Sequence, residues 1–234
     1  MADSSAGDTL DTMCANYEAA AAEILRKRGY AVHVLPASEP REVYPGQIAP
    51  VITSQDPRAV QYGCFGLMPH WAKPNLFRST YNARSETVSA KPSFRAAWRA
   101  GNLAVIPVAA IYEPCYESGR AVRWRIGRAD HRPFGLAGIW DRRLDDPGDA
   151  AWSFSLLTID ATGHSLMSRF HGPEDEKRSI VVLDDDDWDT WLMAKSDSDR
   201  RALLRPMDPE VMTATPSPRP PRAADRSRKT DLTI

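Results

Sequence analysis

Apolar residues recur at two spacings along this chain, and the change from one to the other marks its elements. From Tyr17 to Arg28 the period is helical: Tyr17, Ala20, Ala21, Ile24 and Leu25 share a face. Arg26, Lys27 and Arg28 suit the negative end of that helix, and Gly29 closes it. Residues 30–35 alternate as a short strand. Tyr44-Pro45-Gly46 reads as a turn into an extended segment ending near Ile52, and residues 60–68 read as a further strand. A second helix is predicted from Pro92 to Arg99, stopping at Gly101. Strands follow at 103–112, 121–127, 133–140, 152–159 and 179–183. Asp184 to Asp187 stand ahead of Trp188, Trp191 and Leu192 at helical spacing, so this acidic run is expected to be a solvated helix start. Short connections without regular strand–helix alternation predict an α+β domain, a mainly antiparallel sheet with peripheral helices. Trp98, Trp140, Trp188 and Trp191 are assigned to packing.

Composition narrows the setting. The first twelve residues are small and polar, lacking the basic and apolar regions of a secretory signal, and read as a disordered leader. Residues 213–234, rich in Pro, Ser, Thr and Arg, read as a disordered tail. Thirty basic residues nearly cancel thirty-one acidic ones, so overall charge does not advertise a nucleic-acid partner. Three cysteines, Cys14, Cys64 and Cys115, fit neither a disulfide framework nor a zinc spacing. A reducing, cytoplasmic setting follows, with no cofactor and no metal expected. No apolar run is long enough to span a membrane, and a monomer is expected.

Five places carry candidate chemistry. Met13-Cys14 is the first: if synthesis begins at Met13, or residues 1–13 are removed, Cys14 carries a free α-amine beside its thiol. Such an aminothiol condenses with one aldehyde to an imine and then a five-membered thiazolidine. Its amine, with an ordinary pKa of about 7.7–8.0, is partly neutral near pH 7. A small buried residue opening a helix is the plainer reading of the same dipeptide. In Tyr81-Asn82-Ala83-Arg84-Ser85-Glu86-Thr87, Asn82 and Arg84 point the same way if the segment is extended, a carboxamide for an amine and a guanidinium for a phosphate. A capped turn is the alternative. Glu113 ends a very apolar strand, where desolvation suits a carboxyl to proton transfer, although it could equally turn back to solvent. His171, before Gly172-Pro173, is either an acid–base group or an ordinary surface histidine. Last, Pro69-His70-Trp71, Phe77-Arg78 and Trp98-Arg99 interleave aromatic and basic residues, as in single-strand binding surfaces. Cys64 and Cys115 sit in apolar segments and read as structural thiols.

Taken in order, Met13-Cys14, Pro45-Gly46, Gly66-Leu67-Met68-Pro69-His70-Trp71, Asn82-Ala83-Arg84-Ser85-Glu86-Thr87, Ile111-Tyr112-Glu113, Phe170-His171 and Trp188-Asp189-Thr190-Trp191-Leu192 resemble the SOS response-associated peptidase family, also called SRAP. The resemblance implies one compact domain over 14–212 with a barrel-like sheet core. It also implies binding of single-stranded DNA that contains abasic sites. Members join an N-terminal cysteine to the ring-opened sugar aldehyde, protecting the lesion. Carried over, Cys14 is the nucleophile, Asn82 positions its amine, and Glu113 and His171 move protons. Arg84, Trp71, Pro45, Arg78 and Arg178 contact DNA, and autopeptidase and lyase activities are implied. This chain has Cys14-Ala15-Asn16-Tyr17 where the family usually has Cys-Gly-Arg-Phe, and Ala72 where a second tryptophan is common. The short turn usual after the histidine is stretched here to Gly172-Pro173-Glu174-Asp175-Glu176-Lys177-Arg178. Two other readings stay open: a cysteine peptidase or amidohydrolase using Cys14 with His171, and a non-catalytic single-strand binding module.

Overall fold

A computed structural model describes residues 16–32, 40–143 and 152–219. Its strands are β1 Tyr17–Ala19, β2 Glu42–Val43, β3 Ile48–Thr53, β4 Asp56–Phe65, β5 Asn82–Arg84, β6 Leu103–Cys115, β7 Val122–Arg128, β8 Phe134–Arg142, β9 Trp152–Asp160, β10 Arg178–Ile180, β11 Val182–Leu183 and β12 Met212–Pro216. Helices α1 Ala22–Lys27, α2 Phe77–Thr80, α3 Arg95–Ala100, α4 Asp187–Met193 and α5 Asp197–Ala202 lie between them. The class is α+β, with a large, mostly antiparallel sheet and few helices. Among the described residues no helix is long and apolar enough to cross a membrane.

The apolar run at 103–115 becomes the hub of the sheet. Its first half pairs with β8 (Leu103↔Ile139 to Val108↔Phe134), and its second half pairs with β7 (Ile111↔Ile126 to Cys115↔Val122). β1 and β3 also pair with β6. The pairings β8–β9, β9–β4, β4–β3, β3–β6 and β6–β8 form a closed circuit. Most are antiparallel, but β9 runs parallel to both β4 and β5. Period-two alternation sorts side chains into two cores. Ile106, Ile111, Phe134, Leu136, Phe154 and Leu156 fill one, with Tyr17 and Phe65. Leu103, Val105, Ala137, Ile139 and Leu157 fill the other, beneath Trp98, Trp188 and Trp191 of the helices. With both faces buried, these strands are mostly apolar, with polar residues such as Glu113 of β6 and Ser153, Ser155 and Thr158 of β9 buried among them. Each large apolar side chain contributes about 1.5–3 kcal/mol by leaving water.

Two expectations need correction. Tyr17–Ala19 is a strand, and the helix begins only at Ala22. Helical spacing is overridden there because Tyr17 and Glu18 pair with Ile111 and Ala110 of β6 while Tyr17 packs on Phe65. Ile24 is consequently exposed, whereas Leu25 is buried. Residues 33–35 of the strand expected at 30–35 lie outside the described residues; within it Ala31 bridges Ala59. Of the tail expected from 213, residues 213–216 belong to β12, which pairs with β7 along its whole length, and residues 220–234 lie outside the described residues. The acidic run opens α4 as expected, with Asp187 its first residue and Asp184 and Asp186 exposed. It also forms ion pairs: Asp185 binds Arg28 at 2.7 Å, and Arg205 binds Asp184 and Asp187.

Candidate active site

The strongest local chemistry joins residues far apart in sequence. Cys115 forms an antiparallel bridge with Phe170, and the His171 N–H donates to the Pro114 carbonyl at 2.8 Å. That short splice turns the His171 ring onto Glu113, with Nε2 and Oε2 3.1 Å apart. Both side chains are 2% exposed, so bulk water does not screen the contact. Glu113 occupies an interior position of β6 opposite Trp124, so the strand runs past it to Cys115 and the carboxyl cannot turn back to solvent. His171 holds a left-handed backbone, φ +67°, which is rare for a residue with a side chain. Its Nδ1 is buried without a hydrogen-bond partner among the described residues. A buried imidazole–carboxyl pair can carry its proton on either partner, which is what an acid–base relay needs.

The first described residues of the chain arrive beside this pair. The Asn16 carbonyl accepts from the Tyr112 N–H at 3.3 Å, one residue from Glu113. Asn16 Nδ2 reaches Glu42 at 3.3 Å and the Tyr44 hydroxyl at 3.4 Å. Arg123 binds Glu42 at 2.6 Å and stacks on the Tyr112 ring at 3.4 Å, while Arg219 donates to the Tyr44 hydroxyl at 2.7 Å. Burial opposes ionisation of Glu42, but the bonds from Arg123 and Tyr44 outweigh it and hold its carboxyl below the ordinary range. Glu18 behaves alike: burial is opposed by Arg41 at 2.9 Å and Arg125 at 3.0 Å, and the net shift is downward. Around these groups opens a cleft of about 680 Å³ bordered by Asn16, Tyr112, Glu113, Arg120, Arg123 and Arg219. Cys14, two residues before Asn16, lies outside the described residues.

A second region gathers the exposed motifs. Gly46 and Gly66 both have positive φ (+90° and +122°), and a Cβ at either would fall within 2.6 Å of Phe77. Glycine is required because the Pro45-Gly46 turn closes on the Phe77 ring while Gly66, opening the loop that leads to Trp71, closes on the Phe77 backbone and Cβ. Arg78 follows Phe77, is exposed, and lies 5.8 Å from its ring centroid; Trp71 is 50% exposed, and Pro45 is half-buried. Asn82, half-buried on β5, is held by the register Asn82↔Leu156. The preceding Tyr81 packs on Phe65 at 5.8 Å, the same ring that takes Tyr17 at 5.2 Å. Asn82 and the chain arriving from Cys14 therefore flank one aromatic residue.

Two arginines sit differently from the sequence expectation. Arg178 is 3% exposed, forks onto Glu86 at 2.9 and 3.0 Å, and also reaches Glu176 and the Thr158 carbonyl. A guanidinium so enclosed does not present itself to a phosphate, and its place on β10 beside β9 explains the burial. Arg84 is half-exposed but paired with Glu176 at 2.7 Å, so the stretched segment after His171 supplies a carboxylate to the arginine of the Asn82 motif. Sequence reasoning missed the Glu42–Tyr44–Arg123 cluster and Glu176, whose roles depend wholly on cross-strand neighbours. Cys64 is half-buried, with burial pushing its thiol up to about 11, and Cys115 is buried. Among the described residues no group of three or more His, Cys, Asp or Glu is placed to hold a metal.

The chain is similar to known proteins over much of its length. The family model described as SOS response associated peptidase (SRAP) matches residues 13–219. The abasic site processing protein YoqW of Bacillus subtilis (strain 168) is 30% identical over 154 residues, 64% of this chain and 65% of that protein. YoaM, an abasic site processing protein of the same organism, is 28% identical over 64% of each chain. The chain thus spans just under two thirds of the length of the curated relatives it matches. A crystal structure of a Bordetella bronchiseptica protein superposes with a TM-score of 0.75 at 32% identity, covering 87% of this chain and 99% of that one. One from Bacteroides thetaiotaomicron gives 0.73 at 27% identity, covering 86% and 90%.

Proposed function

The chain belongs to the SOS response-associated peptidase family, and from that premise we propose that it captures abasic sites in single-stranded DNA as a covalent adduct of Cys14. The buried Glu113–His171 pair, one residue from where Asn16 is tied down, carries this reading. Two residues of chain reach at most about 7 Å, so this reading asks only for a short step from Asn16 to bring Cys14 to that pair. A cleft of about 680 Å³ suits one unstacked sugar with its flanking phosphates. Relatives named as abasic site processing proteins support the substrate class.

The reaction requires the amine of Cys14 to be free, by a start at Met13 or by cleavage after it. The matched region itself begins at Met13. The amine attacks the aldehyde carbon of the ring-opened sugar to give a carbinolamine. Protonated Glu113 or His171 donates to its hydroxyl, which leaves as water, and an imine forms. The Cys14 thiolate then adds to the imine carbon and the nitrogen takes a proton, closing the thiazolidine. Aldehyde, amine and thiol thus yield one ring and one water. Asn82 holds the amine against the carbonyl, a proximity effect. Trp71, Pro45 and Arg78 cradle the strand around Phe77, and Arg84 exchanges Glu176 for a phosphate. That exchange is cheap, because a half-exposed pair is worth only about 0–1 kcal/mol. Arg178 braces β10 against Glu86 from within. The protein acts as a monomer in the cytoplasm, on nucleoid DNA.

A hydrolytic reading is favoured by one observation, the buried His171 Nδ1 without a partner among the described residues. Facing the Cys14 thiol, it would serve as base in a single-turnover cleavage of the Met13–Cys14 bond. The two activities are compatible and occur in sequence.

The test combines intact mass with a gel shift. Protein whose mass begins at Cys14 should form a heat- and denaturant-stable band with an oligonucleotide bearing one abasic site. Cys14→Ala should abolish the band, whereas Cys64→Ala and Cys115→Ala should keep it. A stable band from Cys14→Ala, or from protein retaining Met13, would overturn the proposal.

A further inference from the structure

Lys177 does something the proton relay alone does not explain. Its ammonium donates to three consecutive carbonyls, Phe170 at 2.9 Å, His171 at 3.3 Å and Gly172 at 2.8 Å. In an extended chain successive carbonyls point to opposite sides, so three can meet one cation only where the backbone curls sharply. The curl is at His171, whose φ of +67° follows the extended Phe170 (φ −98°, ψ 167°). Holding a residue with a side chain in that region costs on the order of 1–3 kcal/mol and persists only when its surroundings enforce it. An ammonium has three hydrogens, and here three carbonyls accept them, so the curl and the cation match one to one.

The lysine is itself anchored. Its carbonyl accepts from the Ala161 N–H at 2.8 Å, and the next residue, Arg178, pairs with Asp160 at the start of the β10–β9 ladder. Buried Arg178, forked onto Glu86, fixes that stem. A second tether runs from the Gly172 N–H to Asp175 Oδ2 at 2.8 Å, and the Asp175 N–H returns to the Gly172 carbonyl at 3.1 Å. The segment 172–177 is therefore a clamp built on a sheet edge, with its cation beneath the His171 peptide.

We propose that Lys177 is the positioning residue of His171: it holds the left-handed turn that keeps the imidazole on Glu113. This rests on the proton-relay role proposed for that pair. Among the described residues the bonds of the Lys177 ammonium go to backbone carbonyls and not to the imidazole, so its effect passes through the turn at His171. Removing the cation leaves the Phe170 and His171 carbonyls without their donor, the Gly172 carbonyl keeping only the Asp175 N–H, and releases the turn, so that the ring swings off Oε2. A misplacement of about 1 Å at a catalytic group costs on the order of 100-fold in rate.

The experiment compares wild type, Lys177→Met and Lys177→Arg in full-length protein of confirmed N-terminus. Lys177→Met should slow first-order adduct formation about 10- to 100-fold at saturating oligonucleotide, with the concentration for half-maximal rate unchanged. Its pH–rate profile should change shape, and the His171 ring signals in a proton–carbon NMR spectrum should move or broaden. Lys177→Arg, which can still donate to several carbonyls, should return the rate to within about fivefold. Unmoved His171 signals together with an unchanged pH profile in Lys177→Met overturn the proposal, even if thermal stability falls. Should Lys177→Met fail to fold, Lys177→Gln, which keeps a neutral donor, is read by the same two criteria. The NMR arm needs no DNA. If wild type forms no adduct, the abasic-site reading fails while the placement of His171 by Lys177 is still decided.

Discussion

Replacing Glu113 by glutamine separates proton transfer from architecture. The carboxyl is 2% exposed and 3.1 Å from His171 Nε2, and a carboxamide of the same shape can donate to or accept from that nitrogen. The neutral variant therefore keeps the hydrogen bond and loses only the titrating group. Stability should change by less than about 1 kcal/mol, or roughly 2–4 °C in Tm for a domain of this size. General acid–base catalysis contributes about 10²- to 10⁴-fold, so the first-order rate of adduct formation should fall by that factor. Glu113→Ala has a different signature. It strips Nε2 of its partner while Nδ1 already lacks one among the described residues, leaving a buried ring unsatisfied at about 1–3 kcal/mol plus a cavity. Tm should then fall by roughly 5–15 °C together with the rate. The assay is quenched-gel kinetics on a single-abasic-site oligonucleotide at saturating protein, alongside thermal unfolding of each variant. A Glu113→Gln rate within threefold of wild type would refute the relay, since the hydrogen bond survives and the proton does not.

Two further outcomes follow from the geometry. Gly66→Ala would place a Cβ 2.5 Å from Phe77 Cβ and 2.6 Å from its carbonyl oxygen, in a backbone at φ +122°, so α2 has to move. A loss of about 2–5 kcal/mol is expected by chemical denaturation, against about 1 kcal/mol for Gly119→Ala, which meets open space at φ +77°; equal losses would remove the close-approach argument. Glu18 links stability to acid. Its folded pKa lies below its unfolded one because Arg41 and Arg125 overcome its burial, so the native state binds fewer protons. Its contribution is complete above about pH 5 and is lost as pH falls through the folded value. The Tm gap between wild type and Glu18→Gln, followed from pH 7 to pH 3, should close on the acid side; a gap constant with pH would contradict the linkage.

Pattern alone was informative where burial is two-sided. The runs at 103–112, 133–140 and 152–159 became β6, β8 and β9 because a strand covered on both faces is apolar at most of its positions. Gly29 and Gly101, expected as stops, have the left-handed φ values of +89° and +73° that helix ends favour. Pattern misled at Tyr17–Ala19, where a helical period yields to pairing with β6, and at Met212–Pro216, where a polar composition hides an edge strand on β7. The reason is common to both. A short strand takes its stability from its neighbours' ladders, and those neighbours lie about ninety residues away.

Residue chemistry was therefore written in the chain, since Glu113, His171, Asn82 and Arg84 announce themselves by type and by the motifs around them. Their relations were not. Fifty-eight residues separate His171 from Glu113, and it is the splice of Phe170 to Cys115 and of His171 to Pro114 that makes them a pair. Whether an arginine faces water, as Arg78 does, or is locked inside, as Arg178 is, depends on carboxylates delivered by other strands. Composition and period dictate which side chains leave water. Which charges then meet, and which backbone has to bend to let them, is settled by long-range pairing, and this is why Lys177 is an unremarked lysine in the sequence and a three-carbonyl clamp in the fold.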